Sequence, residues 1–216
     1  MKKMFIFILI FIISGCDIGF NEPLDGGSSF EDNRLPGNWI ISKNDSSVLI
    51  SITKDSKNIY SVYGIDKEKA FNLKFITAKI NDHYFVSVNL KTLNLYYFSK
   101  NKKEVIALER PFYILLNYNI NKSFDLEILP ISLKLVKDDV IKGLLKRVVS
   151  SDCVTRVKNN SGRGDNNSNN SNFMIGKYFC AINILNADSF KDYVSRNYER
   201  LFINKNSAYI LKRLKY

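Results

Sequence analysis

The chain has 216 residues, enough for one domain with a full core and too few for two ordinary domains. Its hydrophobic fraction of 45% and aromatic fraction of 13% exclude a wholly disordered protein. The formal net charge of +11 at pH 7 fits an anionic partner, either nucleic acid or an acidic lipid or polymer surface, although a solvated basic face explains it more simply.

The first residues have the organisation of an export signal. Lys2 and Lys3 precede an unbroken apolar run over residues 4–13. These ten residues are about half of what a helix needs to span a bilayer. The sequence therefore predicts a signal peptide over residues 1–15 rather than a transmembrane helix.

The tetrad Ile13-Ser14-Gly15-Cys16 resembles the lipobox of bacterial lipoproteins. The resemblance implies cleavage before Cys16, a diacylglyceryl thioether on its sulfur and acylation of its new amine; several acyl chains anchor a protein stably where one does not. Cleavage would leave a formal charge of +9, because the removed residues carry two lysines and no acid. Asp17 resembles the sorting signal that retains enteric lipoproteins in the inner membrane, which implies a periplasm-facing protein there, with the outer membrane as the alternative.

Residues 16–35 are rich in Gly, Ser, Asn and acidic residues and show no hydrophobic period. This composition predicts a flexible, lipidated tether. We expect a single globular domain over residues 36–216.

Between residues 36 and 130, runs of β-branched and aromatic residues alternate with turn-like breaks at the spacing of antiparallel strands. The alternation of Val48, Ile50 and Ile52 with Leu49, Ser51 and Thr53 indicates one buried face. We predict a mainly β (α+β) fold in which an antiparallel meander forms either a sandwich or a barrel. The predicted strands are 38–42, 48–53, 59–65, 71–80, 84–90, 93–98, 112–120 and 124–129.

Two helices are predicted in the C-terminal third. Residues 138–149 carry apolar side chains at helical spacing, and residues 187–202 do the same, with Asp188 or Ser189 placed to cap the second helix. A short last strand is predicted over residues 208–211.

The segment 157–172 is nearly devoid of apolar residues, which predicts a disordered loop. Cys153 and Cys180 flank it, and in an oxidising compartment a disulfide between them would stabilise the fold by about 3 kcal/mol. Two free, buried thiols are the alternative. The loop contains Arg163-Gly164-Asp165, the tripeptide that integrins recognise, but loop composition alone explains so short a match.

The triplet Gly37-Asn38-Trp39 opens the first predicted strand and resembles the Gly-x-Trp signature of the lipocalin and wider calycin group. The resemblance extends over the meander and the late helix, residues 36–203, and implies a barrel that binds a small apolar ligand. In that group the tryptophan closes the bottom of the barrel. The alternative is that Trp39 is simply a core anchor with its indole N–H satisfied.

No catalytic residue, metal site or cofactor is predicted. His83 is the only histidine, and lipidation of Cys16 and pairing of the other two cysteines would leave no thiol for zinc or for a Cys/His pair. Strand ends and a helix N-terminus explain the acidic pairs more simply than acid–base catalysis does. These pairs are Asp66/Glu68, Asp125/Glu127 and Asp138/Asp139.

The sequence thus predicts a non-catalytic, membrane-anchored lipoprotein that binds another envelope component, with a protein partner favoured over a small apolar ligand. An envelope hydrolase with unidentified carboxylates is one alternative. A surface or exclusion lipoprotein that makes contacts through residues 157–172 is another, and nucleic acid is not expected.

Overall fold

The structure is a computed structural model that describes residues 18–24, 30–43, 46–100, 102–105, 111–145, 149–152, 180–184, 186–202 and 208–214. The strands in these ranges are β1 (Ile18–Phe20), β2 (Gly37–Lys43), β3 (Ser46–Ser56), β4 (Ile59–Ile65), β5 (Lys69–Ile80), β6 (His83–Tyr97), β7 (Lys102–Val105), β8 (Tyr113–Ile120), β9 (Leu126–Pro130), β10 (Val149–Asp152), β11 (Cys180–Ile184) and β12 (Tyr209–Arg213). The helices are α1 (Leu133–Ile141), α2 (Ala187–Arg196) and α3 (Tyr198–Leu201).

Eight antiparallel strands close into a barrel. Their order around the ring is β2-β3-β4-β5-β6-β8-β9-β12. The ring closes where Lys212 of β12 lies opposite Ile40 of β2. The mainly β prediction is confirmed, and of its two architectures the lipocalin-like barrel is the one observed.

Strand β6 spans two of the predicted strands. Its first half pairs with β8 through residues 84–89, and its last residues pair with β7. The register against β5 shifts between Asn72 and Lys74, where the Thr92 hydroxyl accepts a hydrogen bond from the Lys74 backbone N–H at 2.8 Å. The predicted break at residues 91–92 is therefore a bend within one strand, because the Thr92 hydroxyl takes the place of a backbone acceptor for the Lys74 N–H.

A small side sheet continues from β8. Phe20 of β1 lies opposite Tyr113, the first residue of β8, and β1 then pairs with β11, which pairs with β10. Phe20 and Leu24 are buried, and so is Leu35, in the segment that crosses one end of the barrel. These parts of residues 16–35 differ from the flexible tether expected, because isolated large apolar residues find core positions despite a polar composition.

The first predicted helix lies earlier than expected. Helix α1 begins at Leu133 and ends at Ile141, so the prediction of helix over 138–149 is wrong at residues 142–145, which form turns, and at Val149, which begins β10. Gly143 has φ of 75° and donates its N–H to the Val140 carbonyl, which is the usual way a glycine ends a helix. The apolar spacing beyond Gly143 therefore does not continue a helix.

The second predicted helix is observed as α2 and α3, which are separated by Asn197. The N-cap is Asn186, whose side chain accepts from the Ser189 N–H at 2.9 Å, rather than Asp188 or Ser189 as predicted. No helix in the described part of the chain is long and apolar enough to cross a membrane.

The described residues form two hydrophobic cores. One fills the barrel. The other lies outside it, between the wall formed by β6 and β8 and the three helices, and its buried members are Phe20, Leu24, Ile80, Phe85, Leu115, Ile131, Val136, Leu145, Phe190, Val194, Leu201 and Phe202.

Candidate ligand-binding site

A cavity of about 140 Å³ remains inside the barrel core. The side chains around it come from all eight barrel strands and from Leu35, and no polar atom of the described residues faces it. Alternation places these side chains on the inner face of the wall. They include Val48 and Ile52 of β3, Val62 of β4, Val86 and Val88 of β6, Leu116 of β8 and Leu211 of β12.

A glycine shapes one side of this cavity. Gly64 of β4 is paired with Phe71 of β5, and a Cβ built on Gly64 would lie 2.0 Å from a ring carbon of Phe71. The Phe71 ring therefore lies directly against the backbone of its neighbour while it lines the cavity. Any side chain at position 64 would push the ring away.

The barrel is closed at one end by Trp39. Its indole N–H donates to the Leu35 carbonyl at 3.0 Å, and the Arg213 guanidinium stacks over its ring at 5.1 Å. Arg213 also donates to the Pro36 carbonyl at 2.6 Å. Gly37 has φ of 144°, and a Cβ there would lie 2.9 Å from the Arg213 guanidinium, so the glycine of the Gly-x-Trp triplet makes room for this contact.

A buried carboxylate fixes the segment across the closed end. Asp32 accepts from the Tyr118 hydroxyl at 3.0 Å and from the Arg34 guanidinium at 2.7 Å, while its backbone N–H donates to the Tyr60 hydroxyl at 2.9 Å. Burial acts to raise the pKa of Asp32, but the hydrogen bonds from Arg34 and Tyr118 outweigh it and hold the pKa below its ordinary value. Asp32 is thus an ionised anchor rather than an acid or base facing the cavity.

A second carboxylate joins the helices. Asp139 of α1 accepts from the Tyr193 hydroxyl of α2 at 2.7 Å and from the guanidinium of Arg200 in α3. The hydrogen bond from Arg200 lowers the pKa of Asp139 below its ordinary value despite burial. This contact lies in the outer core, away from the barrel interior, and it separates Asp139 from its sequence neighbour Asp138.

A groove of about 560 Å³ crosses the outer face of β2 to β6. Its walls are outward side chains, and its floor is the backbone of Trp39, Ile50, Gly64 and Phe71, which are neighbours across successive strands. Leu49, Tyr63 and Ile65 stand exposed along it. The molecule therefore has an apolar cavity inside the barrel and an open, partly apolar groove outside it, on the two faces of one wall.

Most of the predicted lipid and disulfide residues lie outside the part of the chain that the structure describes. Cys16, Asp17 and Cys153 lie outside the described residues, as do residues 157–172 with Arg163-Gly164-Asp165. Cys180 lies in β11, where the structure describes its backbone. The lipidation and the disulfide stay predictions.

The remaining candidates are dispersed. His83 opens β6 and stacks on Tyr198, with 3.4 Å between ring centroids. Asp66 accepts from the backbone N–H groups of Glu68 and Lys69 and so forms a turn. In the described part of the chain, no three His, Cys, Asp or Glu side chains converge where a metal ion could bind.

Sequence reasoning missed the contributions of Asp32, Arg34, Gly64 and Arg213 to the barrel. Gly64, the second-last residue of the predicted strand 59–65, was the available signal, since a strand glycine marks a close approach by another group. No family model, curated protein or solved structure matches this chain.

Proposed function

We propose that the barrel binds a small hydrocarbon group in its interior and that the chain is a carrier or binding protein rather than an enzyme. The observation that carries this proposal is the wholly apolar cavity of about 140 Å³. An engineered cavity of about 150 Å³ with a similar lining stays dry and binds benzene or xenon. A space with no polar partner for water favours an apolar occupant.

The size of the cavity limits the ligand. Sites for drug-sized molecules have volumes of about 300–1,000 Å³. The cavity of about 140 Å³ fits one ring, or the end of a longer hydrocarbon chain whose remainder lies outside. This ligand class is the apolar alternative predicted from the sequence, here preferred to a protein partner.

Both strongly buried carboxylates support binding over hydrolysis. Asp32 is held by Arg34 and Tyr118, and Asp139 is held by Arg200 and Tyr193. Neither lines the cavity. A carboxylate that is already ionised and paired is poorly suited to deliver or accept a proton.

Thermal unfolding of the protein with and without benzene or a short alkane tests the proposal. A ligand that binds only the folded state raises the midpoint, and the rise grows with the logarithm of the ligand concentration once that concentration exceeds Kd. In Val62→Phe the new ring fills the cavity, so we expect the ligand-induced rise to disappear. The matched change Val140→Phe, in α1 outside the barrel, should preserve it. A ligand effect equal in both variants would exclude the barrel interior as the site.

We propose further that the chain is held on a bacterial membrane by lipid on Cys16, facing the periplasm. The support is the lipobox-like tetrad of residues 13–16. Intact-mass analysis of membrane-purified protein should show a mature N-terminus at Cys16 with added acyl mass, and Cys16→Ala should lack both. An unmodified Cys16 would overturn the anchor and leave the barrel proposal untouched.

A further inference from the structure

The outer face of the barrel carries a row of directly paired residues that crosses seven strands. We call this row the ladder; its members are Lys212, Ile40, Leu49, Ile65, Ala70, Tyr96 and Lys103. Neighbouring strands lie about 4.8 Å apart, so the ladder is about 29 Å long. It forms one wall of the outer groove.

The ladder is apolar in the middle and basic at its ends. Leu49 and Ile65 are 47% and 45% exposed, although each is flanked by further apolar members. Lys212 is exposed at one end, and at the other the Lys103 amine lies 5.4 Å from the Tyr96 ring centroid. Apolar groups with a tyrosine and flanking lysines are the composition of surfaces that lie at a membrane interface.

We propose that the ladder docks the barrel on a lipid surface that carries anionic headgroups. The apolar members enter the boundary between headgroups and acyl chains, while Lys103 and Lys212 contact phosphate groups. The charge of the whole chain, +11, has the sign that such a surface attracts.

The width of the ladder favours lipid over a protein partner. The parallel row across the groove is mostly polar, with Asn38, Ser51, Tyr63, Asn72 and Asn94. A stable protein interface buries about 800 Å² on each partner and is depleted in lysine. A single apolar row ended by lysines is too narrow for that, whereas a lipid surface requires no complementary shape.

Acidic residues do not cancel the basic ends. The turn between β4 and β5 carries Asp66 and Glu68 beside Lys67 and Lys69, so its formal charge is zero. Asp66 is also engaged by the backbone N–H groups of the turn. This turn therefore leaves the positive charge of the ladder lysines uncompensated.

The position of β1 also supports docking of the ladder on lipid, provided that Cys16 is lipidated as proposed. Tyr60, the second residue of β4, and Tyr118 in the last part of β8 both contact Asp32 at the closed end. Ile65 ends β4 and Tyr113 begins β8, so the attachment of β1 and the part of the ladder on β4 to β7 lie towards the opposite end. Ile40 and Lys212, beside Trp39 and Arg213, lie nearer the closed end. Only Asp17 lies between Cys16 and Ile18, and these two residue steps span about 7 Å at most. A lipid on Cys16 would thus hold the end where β1 attaches near the bilayer.

A local fluorescence measurement tests the docking. Ile65→Trp places a second indole on the ladder, and Ile141→Trp places one on α1, at a position 72% exposed in the helical layer outside β6 and β8. Native Trp39 is buried and provides the common background. With vesicles of brominated phosphatidylglycerol we expect quenching of the ladder indole and little of the α1 indole. Brominated phosphatidylcholine vesicles should quench the ladder indole much less.

The lysines are tested by titration with unlabelled phosphatidylglycerol vesicles. Lys103→Gln and Lys212→Gln should each weaken binding by about fivefold at low salt, because each basic residue near an anionic surface adds a comparable increment. The matched controls are Lys134→Gln on α1 and Lys142→Gln directly after it, which we expect to change binding by less than twofold.

Three outcomes would overturn the docking proposal. Equal quenching of the two introduced indoles would show that the ladder has no preferred contact with lipid. An absence of quenching in protein shown by mass to carry lipid on Cys16 would exclude the ladder while preserving the anchor. Self-association without vesicles that Ile65→Trp abolishes would assign the ladder to a second copy. Quenching that persists in Cys16→Ala would separate the ladder from the anchor and support docking alone.

Discussion

The two halves of the barrel wall carry apolar side chains on their outer faces, but the described residues cover only one half. On β6 and β8, Phe85 and Leu115 point outward and are 1% and 2% exposed, because they pack in the outer core with Phe190 and Val194 of α2. On β3 and β4, the ladder residues Leu49 and Ile65 remain about half exposed. The same pattern in the strands thus has two different structural outcomes.

This difference separates residues that stabilise the fold from residues that are available for binding. Each square ångström of apolar surface removed from water contributes about 25 cal/mol, so the covered half supplies stability. The ladder gains much less from its partial burial. The stability of the fold therefore does not explain why these ladder positions are apolar. The proposed contact with a lipid surface does explain it.

The largest predicted effect lies in the covered half. Phe190→Ala removes a fully buried ring that packs at a tilt against Phe20, with 5.1 Å between ring centroids, and it should lower the free energy of unfolding by about 3–5 kcal/mol. Urea denaturation followed by circular dichroism measures the loss. A loss below about 1 kcal/mol would show that the helical layer contributes little to stability.

A smaller loss is expected when the ion pair between the helices is broken. Arg200→Met leaves Asp139, which is 1% exposed, without its charged partner. Breaking a fully buried pair costs about 3–5 kcal/mol, but the Arg200 side chain is 40% exposed and solvent screens it, so we expect about 1–3 kcal/mol. Arg196→Met, whose pair with Asp192 is exposed, is the control and should change stability by less than about 0.5 kcal/mol.

The pH dependence of the same pair has a defined sign. Because the pKa of Asp139 is lowered in the folded protein, its ionised form contributes stability above the ordinary unfolded value of about 3.9. That contribution is lost as the pH falls through the lower folded pKa. The difference in stability between the native chain and Asp139→Asn should therefore shrink as the pH is lowered below about 4, as urea titrations at several pH values would show. A constant difference would exclude ionisation of Asp139 as its source.

The sequence predicted the strands well because each strand has a local signature. Strand β4 was predicted with the bounds observed, and the period-two pattern of Val48, Ile50 and Ile52 identified the inner face. Gly143 was an equally local signal for the end of helix α1. The prediction nevertheless extended the helix beyond it, because the apolar residues that follow have helical spacing. Helix ends are better read from such a glycine than from apolar spacing alone.

The candidate site could not be predicted in the same way. The cavity depends on residues from eight strands, and the ladder exists only because the register places Lys212, Leu49 and Tyr96 in one line. Register is set by pairing between distant segments, and a shift of one residue would turn the ladder inward. The apolar residues themselves were visible, but their alignment and exposure required the closed barrel.

The smallest loss of stability is predicted for substitutions in the ladder. It contrasts most directly with the loss predicted for Phe190→Ala. Leu49→Thr and Ile65→Thr place a β-branched residue suited to a strand at each position and remove only exposed apolar surface and cross-strand contacts. We expect each to lower the free energy of unfolding by about 0.2–1 kcal/mol in urea titrations. A loss of several kcal/mol would mean that these side chains are covered in solution and hold the fold together. A small loss combined with weakened binding to phosphatidylglycerol vesicles would show that the uncovered half of the wall is kept apolar for contact rather than for stability.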